Sequence, residues 1–163
     1  MKSNIKIPAQ LLKNPLHFLS LGFGSGLSPK APGTMGTLAA VPVYFLVQQY
    51  SNLNGYLFIT LLISLLGVYL CGYTSRALKV HDHPGIVIDE IAGFLITMIA
   101  VPFSWLNVLA GFVLFRVFDI LKPWPISWLD KNVHGGLGIM LDDVLAGLFS
   151  LLILHILVNY QVL

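Results

Sequence analysis

Five acidic residues of this chain fall inside or against runs that are otherwise greasy enough for a membrane. Asp89 and Glu90 lie in "GIVIDEIAGF", Asp119 in "FRVFDIL", and Asp142 and Asp143 in "GIMLDDVLAGLFSLLILHILV". An ionised carboxylate in hydrocarbon costs at least a few kcal/mol, so acids in such places mark a site. Two of the stretches echo each other: residues 85–91 and 138–144 both read Gly-Ile, two apolar residues, two acids and one apolar residue. If both acidic turns face one cavity, their carboxylates repel one another and are driven towards protonation unless a cation neutralises them. Several carboxylates with no thiolate suit Mg²⁺ better than zinc. Asp89, Glu90, Asp119, Asp142 and Asp143 are therefore the candidate metal ligands. Acids at helix N-termini also complement the macrodipole, which would account for Asp89 or Asp142 alone but not for Asp119 at a helix C-terminus.

The elements that must carry these acids follow from composition. Of 163 residues 56% are hydrophobic and only 10% charged, against about 25% charged in soluble domains. This is the composition of a membrane protein, of a length that suits one domain over 1–163. Apolar runs occupy about 34–50, 54–74, 87–103, 105–121 and 138–159, so the expected fold class is an all-α polytopic bundle of about five membrane-embedded helices. The first run is short and carries Pro42, which allows a kinked span or a re-entrant hairpin. Residues 1–21 contain apolar residues mixed with Lys13 and His17 and read as an interfacial segment, with no cleavable signal pattern.

Charge placement orients the bundle. Lys2, Lys6, Lys13 and Lys30 precede the first run, Arg76 and Lys79 follow the second, and Arg116, Lys122 and Lys131 lie at or between the inner ends of the fourth and fifth. Five spans with a cytoplasmic N-terminus put every basic residue inside, as the positive-inside bias favours. Asp89 and Glu90 then open the third helix, Asp119 closes the fourth, and Asp142 and Asp143 open the fifth, all at the cytoplasmic end. The net charge of +2 and the lack of a basic stripe exclude nucleic acid as a partner, leaving the membrane and its lipids. The lone Cys71 excludes an internal disulfide. The sequence specifies no oligomeric state.

Other residues suit phosphate. In "GFGSGLSPKAPGTMGTL" (22–38) glycines, hydroxyls and one lysine lead into the first run, and backbone N–H groups there can curl around an anion. The spacing is not that of a P-loop, and an ordinary turn is the alternative. The expected phosphate-binding residues are Gly24, Ser25, Gly26, Lys30, Gly33 and Thr34, together with Arg116, whose guanidinium matches phosphate oxygens. Arg116 and Asp119 are three apart on one helix, so they can equally form an internal ion pair. In "VHDHPG" His81 and His83 precede the first acidic turn, where His81 is the candidate proton donor to a leaving oxygen; a loop bystander is the other reading. His134 is similarly placed, and His155 reads as packing. Trp124 and Trp128 in "KPWPISW" suit interfacial anchoring.

Three of these stretches, "GFGSGLSPKAPGTMGTL", "VHDHPGIVIDEIAGF" and "FRVFDILKPWPISWLDKNVHGGLGIMLDDVLAG", strongly resemble the phosphatidylglycerophosphatase A family. The resemblance implies a Mg²⁺-dependent phosphatase of the bacterial inner membrane, converting phosphatidylglycerophosphate to phosphatidylglycerol at the cytoplasmic face. Its acidic motifs fall on Asp89, Glu90, Asp119, Asp142 and Asp143, with Asp89, Asp119, Asp142, Asp143 and His81 expected to serve the reaction. A water nucleophile with one carboxylate as base is the favoured mechanism, and an aspartyl-phosphate intermediate is the alternative. A transporter or channel would place acids near the midplane on a path to both sides. A lipid phosphotransferase would carry a D-x₂-D-G-x₂-A-R run, which is absent.

Overall fold

The computed structural model describes residues 7–162. Lys2, Lys6 and the first part of the expected interfacial segment lie outside the described residues. The architecture is all-α, with no strand among the described residues. A 3₁₀ turn (Ala9–Lys13) leads into α1 (Pro15–Ser20), and a second (Gly22–Leu27) precedes α2 (Pro32–Tyr50). There follow α3 (Leu53–Leu78), α4 (Ile88–Thr97), α5 (Trp105–Leu121), α6 (Ile126–Asn132) and α7 (Gly135–Asn159).

Local signals set these boundaries. Asn14, Asn52 and Ser104 cap α1, α3 and α5 by accepting from the backbone N–H of Leu16, Gly55 and Asn107. Pro32 occupies the first turn of α2, where its missing N–H costs nothing. Pro42 is accommodated inside α2, which runs as one helix to Tyr50 and makes no hairpin. Two helices, α3 and α7, are long and apolar enough to cross a membrane.

The outward faces are apolar. On α5 the exposed residues Leu106, Leu109, Val113, Val117 and Ile120 recur at helical spacing, and α3 exposes Leu57, Phe58, Leu61, Leu62, Leu65 and Leu66. Such continuous exposed stripes belong against another apolar phase.

The third expected run departs from its reading. Only Ile88–Thr97 is helical, roughly 15 Å at 1.5 Å per residue, and all ten of its residues are buried. Positive φ at Ala100 and the ring of Pro102 stop the helix from continuing through 98–104. In an apolar surrounding the carbonyls freed by that stop need partners. Tyr56 of α3 donates its hydroxyl to Leu95 O at 2.7 Å, His155 of α7 lies 2.9 Å from Ile99 O, and Asn107 of α5 donates to Pro102 O at 2.8 Å. The short helix is thus a central post, tied to three surrounding helices. Phe94 on it meets Tyr44 of α2 and Phe112 of α5 edge-on.

The N-terminal segment docks on the bundle. His17 Nδ1 lies 3.0 Å from Thr74 Oγ1 and Asn14 donates to the Tyr73 hydroxyl, so α1 rests against the C-terminal end of α3. Cys71 is buried and packs in the core.

Candidate active site

One end of the bundle gathers the charge. The first turn of α4 supplies Asp89 and Glu90, and the last turns of α5 supply Arg116 and Asp119. The third turn of α7 supplies Asp142 and Asp143. The last pair was expected to open its helix. Instead α7 begins earlier, at Gly135, because the glycines that read as a joint are helical and Gly136 lies directly against Gly72 of α3.

These elements enclose a cavity of about 440 Å³. Its lining includes Asp82, Asp89, Glu90, Asp119, Asp130, Asp142 and Asp143, which are all seven acids of the chain. Against them stand two lining cations, Arg116 and Lys122.

The carboxylates divide into two kinds. Asp119 is ion-paired to Arg116, with Nη1 2.6 Å from Oδ2, and the same nitrogen lies 3.8 Å from Glu90 Oε1. Asp142 is ion-paired through Oδ2 to Lys122, whose Nζ also lies 2.6 Å from Asp130 Oδ1. Burial would pull the Lys122 ammonium towards neutrality, but Asp142 and Asp130 outweigh it and hold the group charged. By contrast Asp89, Glu90 and Asp143 each offer an oxygen to one group, with those atoms within 4.8 Å of one another. Asp89 Oδ1, Glu90 Oε2 and Asp143 Oδ2 are buried without a hydrogen-bond partner.

Buried carboxylate oxygens without partners are costly and are met by a counter-charge. An all-oxygen set of three carboxylates fits a hard divalent cation, and this is the one orphaned group of that kind among the described residues. The echoed motifs therefore face each other, with Glu90 from one and Asp143 from the other.

The phosphate-binding expectations fare differently. Gly33 lines the cavity and so does Arg116. Gly24, Ser25, Gly26, Lys30 and Thr34 do not. Ser25 turns its hydroxyl onto Gly22 O, and Lys30 is exposed. Gly26 packs on the segment before α4 so closely that a Cβ would strike the Gly85 carbonyl. That contact and the hydrogen bond from Val87 N to Ser20 O at the end of α1 bracket the acidic turn. His81 also lies outside the lining: its Nε2 accepts from Gly135 N at 2.9 Å and its ring meets His134 edge-on. Lys122, Asp82 and Asp130 were not anticipated as site residues. A usable signal existed for Lys122, a cation only three residues beyond Asp119 at the end of the same helix.

The family model for phosphatidylglycerophosphatase A matches residues 18–158. The chain belongs to this family. A phosphatidylglycerophosphatase A of Escherichia coli (strain K12) is 51% identical over 145 residues, covering 88% of this chain and 84% of that protein. One of Haemophilus influenzae is 44% identical over 154 residues, covering 94% of each. A Bacteroides thetaiotaomicron protein whose name provisionally assigns it to phosphatidylinositol-3-phosphatase activity is 36% identical over 146 residues, covering 85% of this chain and 90% of that one. No solved structure gives a significant match. All five family acids carried over from sequence line the cavity of this phosphatidylglycerophosphatase A family member.

Proposed function

We propose that this chain hydrolyses the terminal phosphomonoester of phosphatidylglycerophosphate to phosphatidylglycerol and inorganic phosphate. The observation that carries the reading is the orphaned oxygen group of Asp89, Glu90 and Asp143 on the wall of a cavity that holds every acid of the chain. Family membership supplies the substrate class. Mg²⁺ is the proposed cation, held by Asp89, Glu90 and Asp143; when bound it would polarise phosphoryl oxygens and neutralise their charge.

The chain's own residues do the rest. Arg116, fixed by Asp119 and reaching Thr37 Oγ1 at 3.5 Å, sets the position of the Glu90 carboxylate. Asp142 keeps Oδ1 unpartnered while Lys122 holds Oδ2, so Oδ1 is the acceptor for the proton of an attacking water. The water oxygen adds to phosphorus, the bond from phosphorus to the glycerol oxygen breaks, and that oxygen takes a proton from solvent water to leave as the alcohol, while the proton held by Asp142 returns to solvent.

The proposed topology is a single unit over 1–163 with five membrane-embedded helices, α2, α3, α4, α5 and α7, of which α4 is the buried central one. The N-terminal ends of α2, α4 and α7 and the C-terminal end of α5 form the cavity and face the cytoplasm of a bacterial inner membrane. Lys13, Lys30, Arg76, Lys79, Arg116, Lys122 and Lys131 belong to that end, whereas the opposite joints 51–52 and 98–104 carry no charged residue. A phosphomonoester headgroup at the interface can meet such a cavity with its acyl chains still in the bilayer. A transporter would want its acids near mid-membrane, and their gathering at one end favours the phosphatase.

The test is phosphate release by the purified full chain in mixed micelles. With Mg²⁺ it should release phosphate from phosphatidylglycerophosphate faster than from phosphatidylinositol 3-phosphate, and chelation should stop it. No release from either lipid would refute the proposal.

A further inference from the structure

Lys122 bridges two carboxylates on different elements, Asp130 of α6 and Asp142 of α7, from its place just beyond α5. The two cations of the cavity are not equivalent. Arg116 is deep, with a side chain 14% exposed, and its charge is shared between Asp119 and Glu90. Lys122 is at the mouth, with a side chain 26% exposed, on a flexible stem. An ammonium has three donors, and two are committed here. One of its acceptors, Asp130, is itself 38% exposed in its side chain and easily rehydrated.

A phosphomonoester carries close to two negative charges at neutral pH and must enter a cavity whose wall is already strongly acidic. Lys30, the lysine that the sequence pointed to, is exposed and outside that wall. We infer that Lys122 is the residue that binds the substrate phosphate, exchanging its bond to Asp130 for a phosphate oxygen while its bond to Asp142 holds it beside the reacting centre. Asp130 is then a placeholder that keeps the ammonium in the mouth of the cavity between turnovers. The same exchange releases α6 from α5, coupling occupancy of the cavity to the short helix that carries Trp128.

The inference rests on the phosphatase reading, and binding separates the two. The full chain in detergent, with Mn²⁺ present, is titrated calorimetrically with a short-chain phosphonate analogue of a glycerophospholipid phosphomonoester. Loss of a charge-assisted hydrogen bond weakens binding by roughly tenfold to a hundredfold, so K122M should bind that much more weakly. K122R should stay within about threefold of the wild type. D130N, which removes the competing negative charge and leaves only a weaker amide acceptor, should bind more tightly than the wild type. Mn²⁺ affinity without phosphonate should be no lower in K122M than in the wild type, which also shows that the variant is folded. Wild-type phosphonate affinity in K122M would overturn the inference. Weakening by D130N as large as that by K122M would assign Lys122 to fastening α6 and overturn it too. Should K122M fail to fold, the direction of the D130N change decides alone. A wild-type chain that binds no phosphonate would refute the phosphatase reading itself.

Discussion

Gly33, in the first turn of α2, lies so close to the Glu90 carboxylate in the first turn of α4 that a side-chain carbon at position 33 would collide with Oε1. The same carbon would stand 3.1 Å from Arg116 Nη2. Both neighbours are the far ends of side chains, which can move, unlike backbone. Gly33→Ala should therefore leave the fold intact, shifting the melting temperature by less than about 3 °C, while displacing a carboxylate of the orphaned group. Mn²⁺ affinity, read by electron paramagnetic resonance, should fall by roughly tenfold, the scale of one disturbed ligand partner. Unchanged affinity would show that Glu90 is not part of the cation group.

The orientation of the bundle gives a second outcome. After Cys71→Ala, a cysteine replacing exposed Asn54 at the start of α3 should react with an impermeant thiol reagent on intact cells. One replacing exposed Lys131 in α6 should react only after permeabilisation. Labelling of position 131 on intact cells would reverse the proposed topology.

The stop after α4 gives a third. Tyr56→Phe removes the shorter of two hydrogen bonds to Leu95 O, a carbonyl near the end of the central helix that also accepts from Met98 N at 3.3 Å. The loss should be about 0.5–2 kcal/mol, read as a lower melting temperature in detergent, with phosphate release preserved because Tyr56 is remote from the cavity. An unchanged melting temperature would mean that the backbone N–H of Met98, 3.3 Å away, satisfies Leu95 O by itself.

The acids were legible in sequence because hydrocarbon makes them conspicuous: Asp89, Glu90, Asp119, Asp142 and Asp143 were all placed at one end, and all line the cavity. The Arg116–Asp119 pair was legible because i, i+3 neighbours meet on any helix. The length of α4 was not. An apolar run reads alike whether it spans or stops, and the stop depends on Tyr56, His155 and Asn107, which come from three other helices. The glycine-rich stretch was read for its chemistry, but Gly26 is fixed by an approach of two chain segments that sequence spacing does not encode. Lys122 was counted only for its charge, since its partners become neighbours only when α6 folds back.

The central claim is that Asp89, Glu90 and Asp143 together hold the cation that phosphate release requires, with Asp119 committed to Arg116. The direct measurement is Mn²⁺ binding to the purified full chain and its Asp89→Asn, Asp143→Asn and Asp119→Asn variants, each paired with phosphate release from phosphatidylglycerophosphate. The first two variants should lose at least about tenfold in Mn²⁺ affinity together with most of the release, because each swap keeps the side-chain shape and removes a ligand charge. Asp119→Asn should lose distinctly less affinity. Wild-type Mn²⁺ affinity in both Asp89→Asn and Asp143→Asn would contradict the account.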